Sequence, residues 1–288
     1  MIQSLYLGRV AYDEGRRLQA EMAGLVAAGR LPNVLLLLEH PPVLTLGRNA
    51  NRANVLASDE LLAARGVTLH EINRGGDVTY HGPGQLVGYP LFDLRSLKNP
   101  HGGRMGPVDF VRGMEEALIR VCAGFGIEAG RVPGLTGVWC GTWCGGPLDE
   151  SRSAGSERKI AAIGIHVAKG ITSHGFAFNV TTDLRDFELI IPCGIPDHAV
   201  TSLERELARQ PAAPLPTLET LAHRAARHFG EVFEEQILQV ESLEALRQSA
   251  GPAREFPEPR EFPAEDTPVQ APAEVERLRG VTERPVQA

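Results

Sequence analysis

The chain has 288 residues, of which 43% are hydrophobic and 23% are charged. This composition is ordinary for a globular protein, and the length allows one large domain or two small ones with a buried core. The net charge of −7 argues against nucleic acid as the main partner. No apolar stretch approaches the roughly 20 residues that span a bilayer, and residues 1–17 lack the pattern of a secretory signal. We therefore expect a cytoplasmic protein that binds no membrane.

The first part of the chain predicts a helix followed by two strands. Residues 8–29 place Leu18, Met22 and Leu25 at helical spacings, and Gly29 suits a helix stop. The sequence "VLLLLEHPPVLTLG" then contains two apolar runs separated by a pair of prolines. Continuous apolar runs of this length are typical of strands that are covered on both faces.

Residues 74–90, "RGGDVTYHGPGQLVGYP", form a glycine-rich segment without a helix start behind it. The glycine spacing matches neither a Walker loop nor a dinucleotide-binding fingerprint. One interpretation is a surface hairpin that carries Arg74 and His81. The other is a wall of a substrate site, in which exposed backbone amides polarise a carbonyl oxygen and His81 exchanges a proton nearby.

The next elements are a helix and a cysteine-containing loop. Residues 107–126 begin with a proline suited to a first helical turn and carry one apolar stripe, which places Cys122 in the core. In "GVWCGTWCGGP", Cys140 and Cys144 have the spacing CxxxC and precede a segment rich in Gly, Ser and charge, so we expect both in a loop. Only histidines far away in the chain could complete a metal site with these cysteines, and we expect no bound metal.

Residues 159–181 predict two strands with an unusual face. Alternation along "HGFAFNV" places His174, Phe176 and Phe178 on one side and small residues on the other. The small face could hold an extended chain, or it could permit close packing of a helix. Lys159 directly precedes an apolar run, and is either a snorkelling surface lysine or a buried charge that needs a partner.

Cys193 lies between a proline and a glycine at the end of the apolar run "FELIIP", which reads as a strand. The thiol could be structural, a metal ligand or a nucleophile, because a thiol is reactive only where a cation or exposed amides favour its ionised form. The turn alone does not decide among the three. With four cysteines in the chain, a disulfide framework is not expected.

The last part of the chain predicts two helices and a tail. Thr201 and Glu204 fit a capping box, and a longer helix follows Thr217. Residues 251–288 contain seven of the 21 prolines, so we expect a disordered tail rich in proline and glutamate. The alternation of helices and strands, with "QLVGYPLFDL" as another strand, indicates an α/β or α+β domain.

Five motifs occur in order along the chain: "RGGDVTYHGPGQLVGYP", "GVW", "RKIAAIGIHV", "GFAFNV" and "IIPCGI". Together they resemble the lipoyl(octanoyl) transferases, the LipB family, over a match from Leu5 to Gln236. The resemblance implies one α/β (α+β) catalytic domain over residues 1–240, like the catalytic domain of biotin and lipoate protein ligases, with mixed sheets flanked by helices.

The same resemblance implies the activity, the partners and the site. Such enzymes move an octanoyl group from octanoyl-acyl carrier protein to a lysine of lipoyl domains in 2-oxoacid dehydrogenases or in the glycine cleavage H protein, without ATP or a bound cofactor, and act as monomers. Cys193 corresponds to the acyl-thioester nucleophile and Lys159 to the residue that favours its thiolate. The implied substrate-binding residues are Arg74, Gly75, Gly76, Asp77, Val78, Thr79, Tyr80, His81, Ala162, Ile163, Gly164, Gly175, Phe176 and Ala177.

The chemistry of these residue types agrees with the resemblance. Exchange of one thioester for another loses little energy, so cysteine suits the first step better than serine, and the small-residue face becomes an octanoyl channel. The nearest alternative is an ATP-dependent lipoate or biotin protein ligase, but a basic, glycine-rich nucleotide loop is missing. A metal-binding interaction module built on Cys140 and Cys144 is the second alternative. The stretch 140–157 is longer than is usual in the family, and its role stays open.

Overall fold

The computed structural model describes residues 1–100, 102–141, 157–192, 199–209 and 214–252. Cys144, Cys193 and residues 253–288 lie outside the described residues. Within them the fold is mixed α/β, with two sheets flanked by helices, as predicted. None of the helices in this part of the chain is both long and apolar enough to cross a bilayer.

Nine of the described strands form one large sheet and three form a small one. The large sheet has the order β12-β1-β2-β6-β10-β9-β8-β7, with β11 beside β9, and the small one has the order β4-β3-β5. The strands are β1 (Ile2–Arg9), β2 (Asn33–Glu39), β3 (Val43–Leu46), β4 (Thr68–Glu71), β5 (Val78–His81), β6 (Gln85–Leu91), β7 (Ala129–Val132), β8 (Leu135–Cys140), β9 (Arg158–Ala168), β10 (Ile171–Asn179), β11 (Ala199–Val200) and β12 (Ile237–Gln239).

Helices cover both faces of the large sheet. They are α1 (Tyr12–Ala27), α2 (Asp59–Ala64), α3 (Pro107–Ala123), α4 (Leu203–Leu207), α5 (Leu218–Phe233) and α6 (Leu243–Gln248). Strand β2 is apolar on both sides: Leu35 and Leu37 belong to the hydrophobic cluster of α3 and α5, whereas Leu36 and Leu38 belong to the cluster of α1 and α6. The prediction of strands covered on both faces is confirmed here.

Helix α3 confirms the predicted apolar stripe, and Cys122 is fully buried in it. Helix α5 begins as predicted, since the Thr217 hydroxyl accepts a hydrogen bond from the Thr220 N–H. Helix α1 is shorter than predicted, because residues 8 and 9 belong to β1.

The glycine-rich segment connects the two sheets. Its first half contains β5, which pairs with β3 in the small sheet, and its second half contains β6, which pairs with β2 and β10 in the large sheet. The interpretation as a surface hairpin is therefore wrong. The segment instead links the small sheet to the large one, and residues of both sheets line one cavity.

Three local predictions are wrong for reasons of hydrogen bonding and burial. The first half of the predicted strand "FELIIP", residues 187–189, belongs instead to a 3₁₀ helix over Leu184–Leu189, which Asp183 caps by accepting from the Arg185 N–H. Helix α4 is capped by Ser202, because the Thr201 hydroxyl donates to the buried Glu206 carboxylate instead. Cys140 ends strand β8 and is buried, and so does not lie in a loop.

Candidate active site

An open cavity of about 340 Å³ lies where β5, β6, β9 and β10 approach one another. Its walls come from both sheets and from the first turn of α1. Twelve of the predicted site residues line it: Arg74, Gly76, Asp77, Thr79, His81, Lys159, Ala162, Ile163, Gly164, Gly175, Phe176 and Ala177.

The other predicted residues lie elsewhere. Along β5, Thr79 and His81 point into the cavity, whereas Val78 and Tyr80 are buried in the hydrophobic cluster of the small sheet, because successive strand residues face opposite sides. Gly75 donates its N–H to the Ile165 carbonyl at 2.9 Å and so ties the segment to β9. Cys193 lies outside the described residues.

Several lining residues were missed by sequence reasoning. Val87 and Tyr89 alternate along β6 within the quoted glycine-rich motif, so period-two alternation could have found them. Tyr12 and Ile72 reach the cavity only through tertiary packing, as do Gly134 in the β7–β8 turn and Leu135 and Thr136 at the start of β8. No local pattern in the sequence indicates them.

The wall formed by β9 and β10 contains four small residues that lie opposite one another in pairs. Ala177 lies opposite Ala162, and Gly175 lies opposite Gly164, in the antiparallel register of the two strands. A Cβ atom at residue 175 would lie 2.1 Å from the Gly88 carbonyl oxygen, so glycine is required where β10 approaches β6. The predicted small-residue slot is therefore open to the cavity along both strands.

His174 breaks the alternation predicted for β10. Its φ of 57° is left-handed, and it lines the cavity beside Gly175. Phe176 also lines the cavity, and with Phe178 it belongs to the cluster of α5. The regular alternation predicted along β10 therefore does not hold at His174. Its backbone N–H donates to the Gln19 side chain at 2.8 Å, which stabilises this unusual conformation.

Lys159 is a buried cation in the wall of the cavity. It is the second residue of β9, its exposed fraction is 7%, and its ammonium lies 4.6 Å from the centroid of the Trp139 ring. The interpretation as a surface lysine is therefore wrong. Gly137 of β8 has a φ of 123° and lets this strand approach β9 closely beside Lys159. A Cβ atom at residue 137 would lie 2.6 Å from the Ala161 carbonyl oxygen.

A narrow second space of about 10 Å³ adjoins the cavity at Lys159. It is also lined by Gln85, Asn179, Pro192 and Val200. Pro192 directly precedes Cys193 in the chain. The described part of the segment that leads to the cysteine therefore ends beside the lysine.

Arg74 brings a second buried positive charge to the cavity. Its guanidinium donates to the Thr45 carbonyl at 2.6 Å, to the Thr45 hydroxyl at 2.9 Å and to the Gly75 carbonyl at 3.0 Å. These bonds hold the guanidinium between the small sheet and the glycine-rich segment. A buried guanidinium keeps its charge, so it raises the electrostatic potential inside the cavity.

Three buried histidines in and behind the cavity wall, His40, His81 and His174, are held neutral. Burial lowers the pKa of His40 to about 4, burial and the neighbouring His40 lower the pKa of His81 to about 3, and burial and Arg74 lower the pKa of His174 to about 4. At neutral pH these rings are hydrogen-bonding groups and are not proton carriers. This result restricts His81 to a neutral role.

The residues that the structure describes include no group of three His, Cys, Asp or Glu side chains placed to hold a metal ion. Burial, and then the Glu206 charge, raise the pKa of the Cys140 thiol to about 12. A protonated thiol is a poor metal ligand, so Cys140 does not favour the metal-binding alternative.

Comparison with known families agrees with this geometry. The model of the lipoyl protein ligase A/B catalytic domain matches residues 12–230. The chain belongs to this family. An octanoyltransferase of Acidobacterium capsulatum is 59% identical over 84% of this chain and 94% of its own length, and one of Koribacter versatilis is 49% identical over 96% and 97%. The predicted membership of the octanoyltransferases, and with it an acyltransferase activity, is confirmed.

Solved structures support the fold. A bipartite lipoate protein ligase of Thermoplasma acidophilum superposes with a TM-score of 0.60 at 17% identity, covering 87% of this chain and 91% of that one. A lipoate-protein ligase A bound with ATP superposes with a TM-score of 0.59 at 16% identity, covering 87% and 93%. At such low identity the likeness concerns the fold alone. The predicted relationship to the lipoate ligase fold is confirmed.

Proposed function

We propose that this octanoyltransferase takes the octanoyl group of octanoyl-acyl carrier protein onto Cys193 as a thioester and passes it to a lysine of a lipoyl domain. The acceptors are the lipoyl domains of 2-oxoacid dehydrogenases and the glycine cleavage H protein. No further cofactor takes part. A thiol nucleophile suits a reducing compartment, so the proposal includes the cytoplasm.

One observation carries the proposal: the cavity has small residues in its β9–β10 wall and ends beside the buried Lys159 ammonium. Ala162, Ala177, Gly164 and Gly175 leave room for an extended acyl chain along β9 and β10. Each methylene buried there contributes roughly 0.8 kcal/mol. Lys159 stands at one end of this path, where the space that reaches Pro192 begins.

In the first half-reaction, the Cys193 thiolate attacks the thioester carbonyl carbon of the donor. A new C–S bond forms, and the phosphopantetheine sulfur leaves with its electron pair. The Lys159 ammonium gives its proton to that sulfur and becomes a neutral amine. The buried position of Lys159 places this proton donor in the wall of the cavity.

In the second half-reaction, the neutral amine of the acceptor lysine attacks the Cys193 thioester. The C–N bond forms, the C–S bond breaks, and the Lys159 amine accepts the proton that the attacking nitrogen loses. Cys193 is again a thiolate and Lys159 an ammonium, so the cycle closes. The overall reaction converts a thioester and an amine into an amide and a thiol.

Intact-mass analysis tests the proposal. Incubation of the full chain with octanoyl-acyl carrier protein, without ATP, is expected to add one octanoyl group, which hydroxylamine removes and a lipoyl domain accepts. Cys193→Ala is expected to abolish the addition, whereas Cys144→Ala, the matched cysteine control, retains it. Labelling that persists in Cys193→Ala, or that requires ATP and free octanoate, overturns the proposal in favour of a ligase.

A further inference from the structure

A network of four hydrogen bonds links two backbone carbonyls to the imidazole of His81. The Asn179 amide NH₂ donates to the Thr201 carbonyl at 3.0 Å, so its oxygen faces Gln85 and accepts from the Gln85 amide NH₂ at 3.0 Å. That NH₂ also donates to the Tyr80 carbonyl at 3.1 Å. The Gln85 amide oxygen therefore faces His81, and lies 2.8 Å from its Nδ1.

This chain fixes the tautomer of His81. Because backbone carbonyls only accept, each amide in the chain has one possible orientation, and the Gln85 oxygen can only accept from His81. Nδ1 must therefore carry the proton. In a neutral imidazole, Nε2 then carries the lone pair, and its contact to the Thr45 hydroxyl is long, at 3.4 Å.

The lone pair belongs to a ring that lines the cavity. The Thr45 hydroxyl accepts from Arg74 at 2.9 Å, and its own hydrogen reaches Nε2 only over 3.4 Å. The Asp77 carboxylate, another acceptor in the wall, accepts from the N–H groups of Asn51 and Val78. Nε2 of His81 is thus an acceptor engaged only by a long contact, in a wall where Arg74 and Lys159 are cations. A substrate N–H would be bound by such a group.

We infer that Gln85, held by Asn179, is a positioning residue that keeps His81 in the Nδ1–H tautomer, so that Nε2 accepts a hydrogen bond from the attacking lysine amine. This inference rests on the proposed function, since it concerns its second half-reaction. Nε2 orients the amine lone pair towards the thioester carbon and stabilises the N–H dipole as the C–N bond forms. The proton itself goes to Lys159, as above.

The surroundings of His81 support a neutral acceptor. The Tyr12 ring of α1 stacks on it with centroids 6.3 Å apart, and the His40 ring lies edge-on at 6.1 Å. Arg74 and His174 are the other ionisable groups that influence it, and both disfavour a second proton. These neighbours keep the lone pair available at neutral pH without making the ring a base.

Two readouts separate positioning from simple loss of stability. The first is the tautomer of His81, which long-range ¹H–¹⁵N correlation measures in the full chain labelled with ¹⁵N-histidine. The His81 signals are assigned by their absence from the spectrum of His81→Asn. The second is a comparison of the two half-reactions, which are the acylation of the protein by octanoyl-acyl carrier protein and single-turnover transfer from the acylated protein to a lipoyl domain.

Gln85→Met removes the acceptor and keeps the size of the side chain. We expect a mixture of His81 tautomers and a transfer rate lower by about tenfold, the cost of one hydrogen bond, with a smaller change in acylation. Gln85→Glu keeps an oxygen opposite Nδ1, and is expected to retain the tautomer and more of the transfer rate. Gln3→Met is the control, because Gln3 is equally buried but bonds to Ser249 beside α6, and should change neither readout.

Three results would overturn the inference: an Nε2–H tautomer of His81 in the unsubstituted protein, an unchanged tautomer in Gln85→Met, or equal slowing of both half-reactions. The tautomer is measured without substrate. It therefore decides the positioning role even if the unsubstituted protein is not acylated, an outcome that overturns the proposed function instead.

Discussion

Lys159 carries its charge where water scarcely reaches it. Its ammonium lies over the Trp139 ring, and this contact stabilises the cation by an amount that grows as the site loses water. A buried ammonium is also a strong local source of positive potential. A thiol close to it ionises more readily, and this is the role proposed for Lys159 towards Cys193.

Lys159→Met tests this role. We expect slower acylation by octanoyl-acyl carrier protein at neutral pH and partial recovery at higher pH, because an ordinary thiol, with a pKa of about 8.5, supplies its own thiolate there. The measurement is the rate of Cys193 alkylation by iodoacetamide against pH. Lys98→Met, at an exposed lysine, is the control and should leave the profile unchanged. An unchanged profile in Lys159→Met would contradict the thiolate role.

The hairpin of β7 and β8 carries residues 134–136 to the cavity, and a buried carboxylate fastens it to α3. Glu115 is fully buried in α3 and accepts from the Gly137 N–H at 3.0 Å. It also accepts from Arg112 at 2.7 Å and from Arg131 at 3.1 Å. Helix α3 thus sets the position of β8, the strand that carries Trp139 beside Lys159.

Glu115→Ala is expected to destabilise the fold by about 3 kcal/mol, since it leaves the Gly137 N–H without its partner and removes the counter-charge of two arginines. Urea unfolding at pH 7.5 measures the change. Glu116→Ala is the matched control, because Glu116 also bonds to Arg131 but is 35% exposed, and it should cost no more than about 1 kcal/mol. Equal losses in the two variants would show that the buried carboxylate does not fasten the hairpin.

For the molecule as a whole, periodicity in the sequence predicts the elements that bury one clear stripe or face. Helices α1, α3 and α5 and strands β2, β3, β6, β9 and β10 follow from it. The apolar run before Cys193 is equally compatible with a strand, but the cap at Asp183 and the burial of Phe187 and Leu189 favour a 3₁₀ helix. Local patterns do not contain such tertiary effects.

The candidate site, too, is predicted only in part from the sequence. Motif order in the sequence predicts twelve of the residues that line the cavity. Tyr12 comes from the first turn of a helix far away in the chain, and His174 has a left-handed φ and a tertiary hydrogen bond from its N–H to Gln19. The roles of Gln85 and Asn179 depend on amide orientations, which no spacing rule gives.

The neutral histidines around the cavity link the stability of the whole fold to pH. In the unfolded chain a histidine titrates near pH 6.5, whereas the pKa values of His40, His81 and His174 in the fold are about 4, about 3 and about 4. Between these values the unfolded chain binds more protons than the fold does. Stability is therefore complete above pH 6.5 and is lost as the pH falls towards 4.

We expect the free energy of unfolding to fall between pH 7 and pH 5, by roughly 2 kcal/mol for each of the three histidines at most. Carboxylates titrate in the unfolded chain near pH 4, below this window, so the slope reports the histidines. Urea titrations at half-unit pH steps measure this pH dependence.

His40→Asn keeps a donor towards the Val10 carbonyl and should flatten the slope by about a third, because it removes one of three such groups. His223→Asn, at an exposed histidine on α5, should leave the slope intact. A fold equally stable at pH 7 and pH 5 would contradict the lowered pKa values of the buried rings.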